Sequence, residues 1–449
     1  FDRMGNRTIV SWGTMIAGYA HHGCGLPALN LFSCMHHEGI DPNRPILLYI
    51  LKACATIDAI IEGMVMHDHI IKGGLESEVR IGMGLVEIYY KCGRLSDSHK
   101  SHDNLPEKNL VSWCILIRGY VDWGHGLSAL NLLRNLQHEG VLLDKVLYLC
   151  FLKACRIVGN IWYIKLAHIQ IISNMLASDD TIVNSLLDAY SRCPDMTEAR
   201  KLFEETSMKS VVSWSSMVAG YANHGQSDDA MILYTGLRQE GTDPDEITFV
   251  NVLNAFIGPT WLDYGREVHA HAIEAGKDLN VSVGNSLIDM YGECESLEEA
   301  VLVFAKLSTR NTISWNTLIA AYAQAGDAEN VFMVFEQMKE DDMKPDSATF
   351  TYLLSSCSHG GLVDHAQIYF GSMINDYGII PNTEQHTCFV DLLGRAGQLD
   401  KAVEMMIRLP FHPDLAMWCT VLGACRKWGN LTLAKQAFEY AVRLDEKES

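Results

Sequence analysis

Among its 449 residues the chain has 11 prolines, no long apolar run and no excess of basic charge, and each shortage excludes something. The prolines are too few for polyproline or collagen-like segments. The most apolar stretch, Ile46 to Ile61, is broken by Lys52 and Asp58, well short of the roughly 18 uninterrupted residues of a membrane span. Lysine and arginine number 35 against 55 aspartates and glutamates, a net charge of −20, which argues against a generic basic nucleic-acid binder. The deficit is lopsided: residues 1–225 carry 20 basic and 22 acidic side chains, residues 226–449 carry 15 and 33. A polyanion would have to be held by local groups rather than by a global positive field.

Catalytic equipment is missing too. A zinc deaminase requires a His or Cys and two further cysteines on the metal, with a Glu to move protons, in an H-x-E…P-C-x-x-C arrangement. His36-His37-Glu38 fits H-x-E nominally, but no pair among the 13 cysteines has the C-x-x-C spacing. That triplet reads instead as a solvated helix end. No G-x-x-x-x-G-K-[ST] phosphate loop occurs either. The expectation is a protein that is not an enzyme, with no cofactor and no metal.

What the chain has is a repeat. Trp12, Trp113, Trp214 and Trp315 are each 101 residues apart, as are Tyr19, Tyr120, Tyr221 and Tyr322, and His67, His168 and His269. The text around each Trp recurs: TIVSWGTMIAGYAHHG, NLVSWCILIRGYVDWG, SVVSWSSMVAGYANHG, NTISWNTLIAAYAQAG. An internal repeat this strict overrides any domain count based on length. With 48% hydrophobic residues, the chain has ample material for an ordered body.

The 101-residue unit divides into parts of 35, 35 and 31 residues. Trp12, Met15, Ile16 and Tyr19 stand at i, i+3, i+4 and i+7, one apolar face of a helix, and Ala28, Leu31, Phe32 and Met35 repeat the spacing. Gly23, Gly124, Gly225 and Gly326 stand between the two helices, and GIDPN and GTDPD close the pair with a Pro-bearing turn. Each part is a helical hairpin that cannot bury both apolar stripes alone, so hairpins must stack. The predicted fold is all-α, a right-handed α-solenoid superhelix of stacked helical hairpins.

These strings resemble the pentatricopeptide repeat family, in particular its plant PLS subclass, whose P, L and S modules alternate near 35, 35 and 31 residues. P-like modules carry VSW…MIAGYA, L-like modules LKACATIDAI and VMHDHIIKGGL, and S-like modules GNSLIDMYGECESLEEAVLVF. The resemblance divides residues 9–414 into twelve modules: 9–43, 44–78, 79–109, 110–144, 145–179, 180–210, 211–245, 246–280, 281–311, 312–346, 347–382 and 383–414. The last two resemble the L2 and S2 variants, 415–449 resembles the E1 motif, and 1–8 reads as the end of a truncated S-type repeat. No text resembling an E2 or DYW segment occurs within residues 1–449, so the expectation is a protein without those two parts. Cys54, Cys155, Cys357 and Cys425 then fall at the eleventh position of their modules, and Cys92, Cys193 and Cys294 at the fourteenth, as small core fillers. The 101-spaced histidines belong to different modules and cannot converge on one metal ion.

The resemblance implies single-stranded RNA binding, one base per module, read by the fifth and last residues with the second residue wedged against the base. Carried over, Asn184 with Ser210 implies cytidine and Ser215 with Asp245 guanine. Asn285 with Asn311 implies a pyrimidine, and Asn316 with Asp346 uridine. Thr351 with Asn382 implies adenine, and Thr387 with Asp414 guanine. Val212 and Ile313 are the wedges. The implied target is 5′-C-G-x-Y-U-A-G-3′. Gly13 with Asn43, Met83 with Asn109 and Cys114 with Asp144 lie outside the code.

The resemblance also implies mitochondrial or chloroplast RNA, in C-to-U editing or processing. The expected partners are that RNA and, at the E1 end, a DYW-type deaminase or accessory protein acting in trans, with Trp428 and Trp418 as anchor candidates. Neither a membrane nor a small-molecule substrate is expected. Two other readings stand beside this one: a protein-binding α-solenoid scaffold, and a decayed fragment without activity.

Overall fold

The structure, a computed structural model, describes residues 1, 7–76, 78–206, 208–409 and 413–448, side chains from residue 443 onward excepted. Most of the stretch 1–8, expected as a module end, therefore lies outside the described residues. Among the described residues the chain forms 26 α-helices, one 3-10 turn at Pro259–Trp261 and no strand. The helices come in pairs, as the alternating apolar stripes require. Ile9–His21 is followed by Gly25–His37, Arg44–Thr56 by Ile60–Lys72, Val79–Lys91 by Leu95–Asp103, and so on to Leu415–Trp428 and Leu431–Glu448.

Local chemistry sets where each pair starts. The residue before each first helix is short and polar in most pairs, and it caps the helix. Asn109, Asp144, Asp346 and Asp414 each accept a hydrogen bond from the backbone N–H three residues on, at 2.9–3.0 Å. Such a cap is worth about 1 kcal/mol against alanine. The second helices differ in length. They run 13 residues in Gly25–His37 and Ile60–Lys72 but only 9 in Leu95–Asp103, Thr197–Glu205 and Leu399–Ile407, which accounts for the shorter third part of the 101-residue unit.

The chain divides into two compact units, Phe1–Gly220 and Tyr221–Ser449. Within each unit the first helix of one pair packs on the first helix of the next: Ile9–His21 on Arg44–Thr56 and that on Val79–Lys91; likewise Val281–Glu293 on Thr312–Gln324 and that on Ser347–Gly360. The contact is built from residues such as Ile16, Ile50, Leu287, Ile319 and Phe350, all inaccessible to water. This is an α-solenoid of stacked hairpins.

The repeated tryptophans anchor the seams. Each meets an aromatic ring edge-on: Phe1 against Trp12, Phe203 against Trp214 and Phe304 against Trp315, all at 4.7 Å, with His102 taking that place against Trp113 at 4.5 Å. Their indole N–H groups are buried without a hydrogen-bond acceptor. The repeated histidines join successive pairs: His67 Nδ1 lies 2.7 Å from Tyr89 Oη, His168 Nδ1 3.2 Å from Tyr190 Oη, and His269 Nδ1 2.8 Å from Tyr291 Oη. Burial lowers the pKa of His168 and His269.

One expectation needs correction, and one helix is unusually short. Tyr19, placed on the apolar face, is 37% exposed. Its counterpart Tyr120 is covered because His99, on the helix Leu95–Asp103, reaches its hydroxyl at 3.1 Å, and no such helix precedes Tyr19 among the described residues. The helix Glu246–Leu253 is only 8 residues long, because Gly258 at φ +97° and Pro259 divert the chain into the 3-10 turn.

Candidate nucleic-acid interface

Capping and stacking together create a recurrent polar cluster. The residue that ends one hairpin is the cap of the next first helix. The fifth residue of a first helix sits just over one turn in. Because adjacent first helices lie side by side, the two side chains meet. Asn316 Nδ2 donates to Asp346 Oδ1 at 2.9 Å, Asn184 Nδ2 to Ser210 Oγ at 3.3 Å, and Asn285 Nδ2 to Asn311 Oδ1 at 3.5 Å, the last at the limit of a hydrogen bond.

Two of the other expected pairs, Thr351–Asn382 and Thr387–Asp414, differ. Ser215 is buried in the first unit, while Asp245, in the second, caps Glu246–Leu253 through Thr248. Thr351 does not bond Asn382; its hydroxyl bonds Ser347 O at 3.2 Å and receives Gln385 Nε2 at 3.1 Å, and Gln385 N–H goes to Asn382 Oδ1. No hydrogen bond joins Thr387 to Asp414: the Thr387 hydroxyl turns back to Thr383 O at 2.8 Å, and Asp414 caps through Met417 N–H. A threonine returns its hydroxyl to the helix because its short side chain cannot span to the neighbouring cap.

Beside these clusters stand apolar side chains open to water. Val212 is 52% exposed and Ile313 60%, and the same second position holds the exposed Val10, Val111, Val146 and Ile247. Six hairpins carry such an exposed branched aliphatic, and where it stands beside a donor–acceptor pair, as Ile313 does beside Asn316–Asp346, it offers an apolar wedge and a polar reader to a flat heterocycle. Where the pairs fail, the side chains explain why. A Cβ on Gly13 would meet Ile46 at 3.3 Å, and burial pushes the Cys114 thiol up to about 12, leaving it neutral. Leu48, Leu149 and Val250 occupy the fifth place of their helices and offer no hydrogen bond at all.

Positions 2, 5, 9 and 13 of a helix share a face. In the first unit positions 9 and 13 of that face hold Lys52, Lys91, Arg118 and Lys153 alongside Glu87, Asp122 and Asp188. In the second they hold Asp289, Glu293 and Asp391 alongside Lys427 and Arg395, the last paired to Asp391 at 2.7 Å. Water reaches Asp289, yet the density of protein around it, then Glu293, raises its pKa.

Sequence reasoning missed the third residue of each first helix. Ser213, Ser314, Thr349 and Gln385 are all buried at these clusters. The signal was present: a polar residue three positions after a capping Ser, Asn or Asp is a capping box. Trp428, an anchor candidate for a partner, has an intramolecular role. Its Nε1–H donates to Gly394 O at 2.9 Å and its ring lies against Gly397. Trp418 is buried and stacks on Tyr440 at 4.7 Å. His36, His37 and Glu38 are exposed. Among the described residues no group of three potential ligands could hold a metal ion, and no helix is long and apolar enough to cross a membrane.

Comparison with known proteins places this arrangement. The pattern of the PPR repeat family matches residues 209–258 and 310–359, and that of the single PPR repeat matches 10–40, 111–141, 181–210, 285–311 and 348–377. A pentatricopeptide repeat-containing protein of Arabidopsis thaliana is 33% identical over 451 residues, covering 100% of this chain and 66% of its own length. A second from that plant, named as chloroplastic, is 31% identical over 99% of this chain and 55% of its own. A third, named as mitochondrial, is 31% identical over 98% of this chain and 79% of its own. The chain thus spans between about half and four-fifths of the relatives it matches. Among solved structures, the pentatricopeptide repeat protein PPR10 in complex with an 18-nt psaJ RNA element superposes over 98% of this chain and 80% of its own, with a TM-score of 0.59 at 14% identity. The repeats, their helical pairing and these relatives agree: the chain belongs to the pentatricopeptide repeat family.

Proposed function

We propose that the chain binds single-stranded RNA in a sequence-specific manner, one base per hairpin, as a site-recognition factor for organellar RNA modification or processing. The observation that carries this is the convergence of fifth and last side chains in Asn184–Ser210, Asn285–Asn311 and Asn316–Asp346, each close to hydrogen-bond distance. An exposed aliphatic, Ile313, stands beside the last of them. A peptide-binding scaffold has no need to repeat an amide paired to a polar cap at three seams. The module boundaries given above are the proposed reading frame, and the proposed target is 5′-C-G-x-Y-U-A-G-3′, with Thr351–Asn382 and Thr387–Asp414 reading the last two bases without direct pairing. The plant relatives named as mitochondrial or chloroplastic support an organellar site of action. Within editing, the deaminase would act in trans, recruited at 415–449.

The test is selection from a randomised single-stranded RNA pool at two salt concentrations, with the bound fraction sequenced. Enrichment near C-G-x-Y-U-A-G supports the reading and fixes its register. Asn316→Thr should then move the preference at the fifth base from uridine toward guanine, by about 1–3 kcal/mol of discrimination. Binding without enrichment, or an unchanged preference in Asn316→Thr, defeats the assignment.

A further inference from the structure

The reading pairs leave three buried polar side chains unaccounted for. Ser213, Thr349 and Gln385 are the third residues of their first helices, and each turns back on the fifth residue of the preceding hairpin. Ser213 Oγ donates to Asn184 Oδ1 at 2.7 Å, Thr349 Oγ1 to Asn316 Oδ1 at 2.6 Å, and Gln385 Nε2 to Thr351 Oγ1 at 3.1 Å. One seam breaks the pattern. Ser314 gives its hydroxyl to Asn311 Oδ1 at 3.0 Å, and Asn285 Oδ1 is left buried with no hydrogen-bond partner.

An asparagine amide has a donor end and an acceptor end, and which end faces which way follows from its partners. At Asn316 both ends are held. The Asp346 carboxylate only accepts, so it takes Nδ2; the Thr349 hydroxyl, which already accepts Asp346 N–H at 3.1 Å, has two acceptors within reach of its single proton, and Asn316 Oδ1 at 2.6 Å is nearer than Asp346 Oδ1 at 3.0 Å. One N–H and one lone pair of Asn316 remain for a base, in a fixed order. Uracil offers O4 then N3–H, an acceptor beside a donor. Cytosine offers N4–H then N3, the reverse. An amide of fixed sense suits one and opposes the other, whereas an amide free to turn over suits either.

We propose that Thr349 is a positioning residue for base choice: with the Asp346 carboxylate on Nδ2, it holds Oδ1 of Asn316 and so sharpens the fixed sense of the amide and the discrimination between uracil and cytosine. The inference rests on the RNA-reading function proposed above. It makes the reader a group of three, contributed by two successive hairpins. It also predicts that Asn285, whose carbonyl is unheld, separates the two pyrimidines less well than Asn316.

The experiment uses the full chain and two pairs of single-stranded RNAs, identical except for U or C opposite Asn316 in one pair and opposite Asn285 in the other. The readout is the ratio of the two affinities within a pair. A weakened cap or partial unfolding lowers both affinities alike and leaves that ratio unmoved, and thermal unfolding of each variant is recorded alongside. Thr349→Val, which removes the hydroxyl at nearly constant volume, should lower the U-over-C ratio opposite Asn316 by about three- to tenfold, the worth of one hydrogen bond. Thr349→Ser should restore it to within about twofold. Ser314→Ala should leave the ratio opposite Asn285 as it was. Should Thr349→Val fold poorly, Ser213→Ala, read with a third RNA pair that differs in U or C opposite Asn184, should shrink the preference between the two pyrimidines there by a similar factor at an independent seam. An unchanged ratio in Thr349→Val, or an equal fall in Thr349→Ser, overturns the inference while the RNA reading stands. A wild-type chain that selects no base at any position overturns both.

Discussion

His102 gives the sharpest quantitative handle on this fold. It is 1% exposed, its ring stands edge-on to Trp113 at 4.5 Å, and its Nε2 lies 3.3 Å from Ser112 Oγ. The Ser112 hydroxyl donates to Asn109 O at 2.9 Å, so it accepts from His102 and holds the neutral tautomer with its proton on Nε2. Burial, then the Lys108 ammonium, lower its pKa to about 4 from an ordinary 6.5. A histidine with a lowered folded-state pKa costs nothing at neutral pH. As pH falls below 6.5 the unfolded chain takes the proton first, and stability drains away until pH reaches about 4. The gap corresponds to about 3 kcal/mol in all. The repeat itself supplies the replacement: Phe203 and Phe304 occupy the same place against Trp214 and Trp315. His102→Phe should match the parent within about 1 kcal/mol at pH 7, since one modest hydrogen bond is exchanged for apolar burial. At pH 4 it should be the more stable by about 3 kcal/mol, measured by urea unfolding across the range. A stability difference that does not change between the two pH values would refute the assignment of the acid loss to this residue.

Three further outcomes can be checked. Asp342 adopts φ +56° at the place where Gly39, Gly140 and Gly241 adopt +75°, +77° and +72°, so Asp342→Gly should raise stability by about 0.5–1 kcal/mol in thermal unfolding. Gly93→Ala should cost more than about 1 kcal/mol, because the residue sits at φ +73° and the new Cβ would lie 2.9 Å from the Trp123 ring. Asp289 loses its charge at a higher pH than an ordinary carboxylate, so RNA affinity should rise as pH falls through its raised pKa. Asp289→Asn should flatten that rise; a profile identical to the parent's would remove Asp289 from the RNA path.

Much of this fold is written in the sequence because the repeat multiplies each weak signal. A lone Trp12 says little, but four tryptophans 101 residues apart define a seam, and the capping Asn, Asp and Ser residues mark where each first helix begins. The pairing of Asn316 with Asp346 was legible through the family resemblance, which singles out the fifth and last residues of a module. Three things were not. The exposure of Tyr19 depends on what covers it, which a repeat does not encode at its margins. The back-bonding of Thr351 and Thr387 to their own helices depends on side-chain reach, and position alone does not reveal reach. The third-residue group was hidden because a capping box already explains a Ser or Thr there. Its second bond, across to the preceding hairpin, appears only once the helices are stacked.

Charge and base-reading chemistry are divided between the halves, and the division itself predicts behaviour. The first unit offers few reading pairs, but its first helices hold exposed Lys52, Arg118 and Lys153 on the face shared with positions 2 and 5. Asp122, between Arg118 at 3.5 Å and Lys153 at 3.3 Å, cancels only one of its two neighbours. The second unit holds the most complete reader, Asn316–Asp346, but there Asp289 and Glu293 lie on that face without a cation paired to either, and Arg395 is already paired to Asp391. If both halves engage one RNA strand, the first supplies phosphate neutralisation and the second supplies base choice. Each phosphate contact on a single strand contributes about 0.7 to the slope of log affinity against log salt. Lys52→Gln and Lys153→Gln should each flatten that slope by up to about 0.7 while leaving the selected sequence unchanged. Asn316→Thr should do the opposite, changing the selected base and leaving the slope alone. A substitution in the first unit that altered base choice, or a salt slope indifferent to both lysines, would show that the two tasks are not divided in this way.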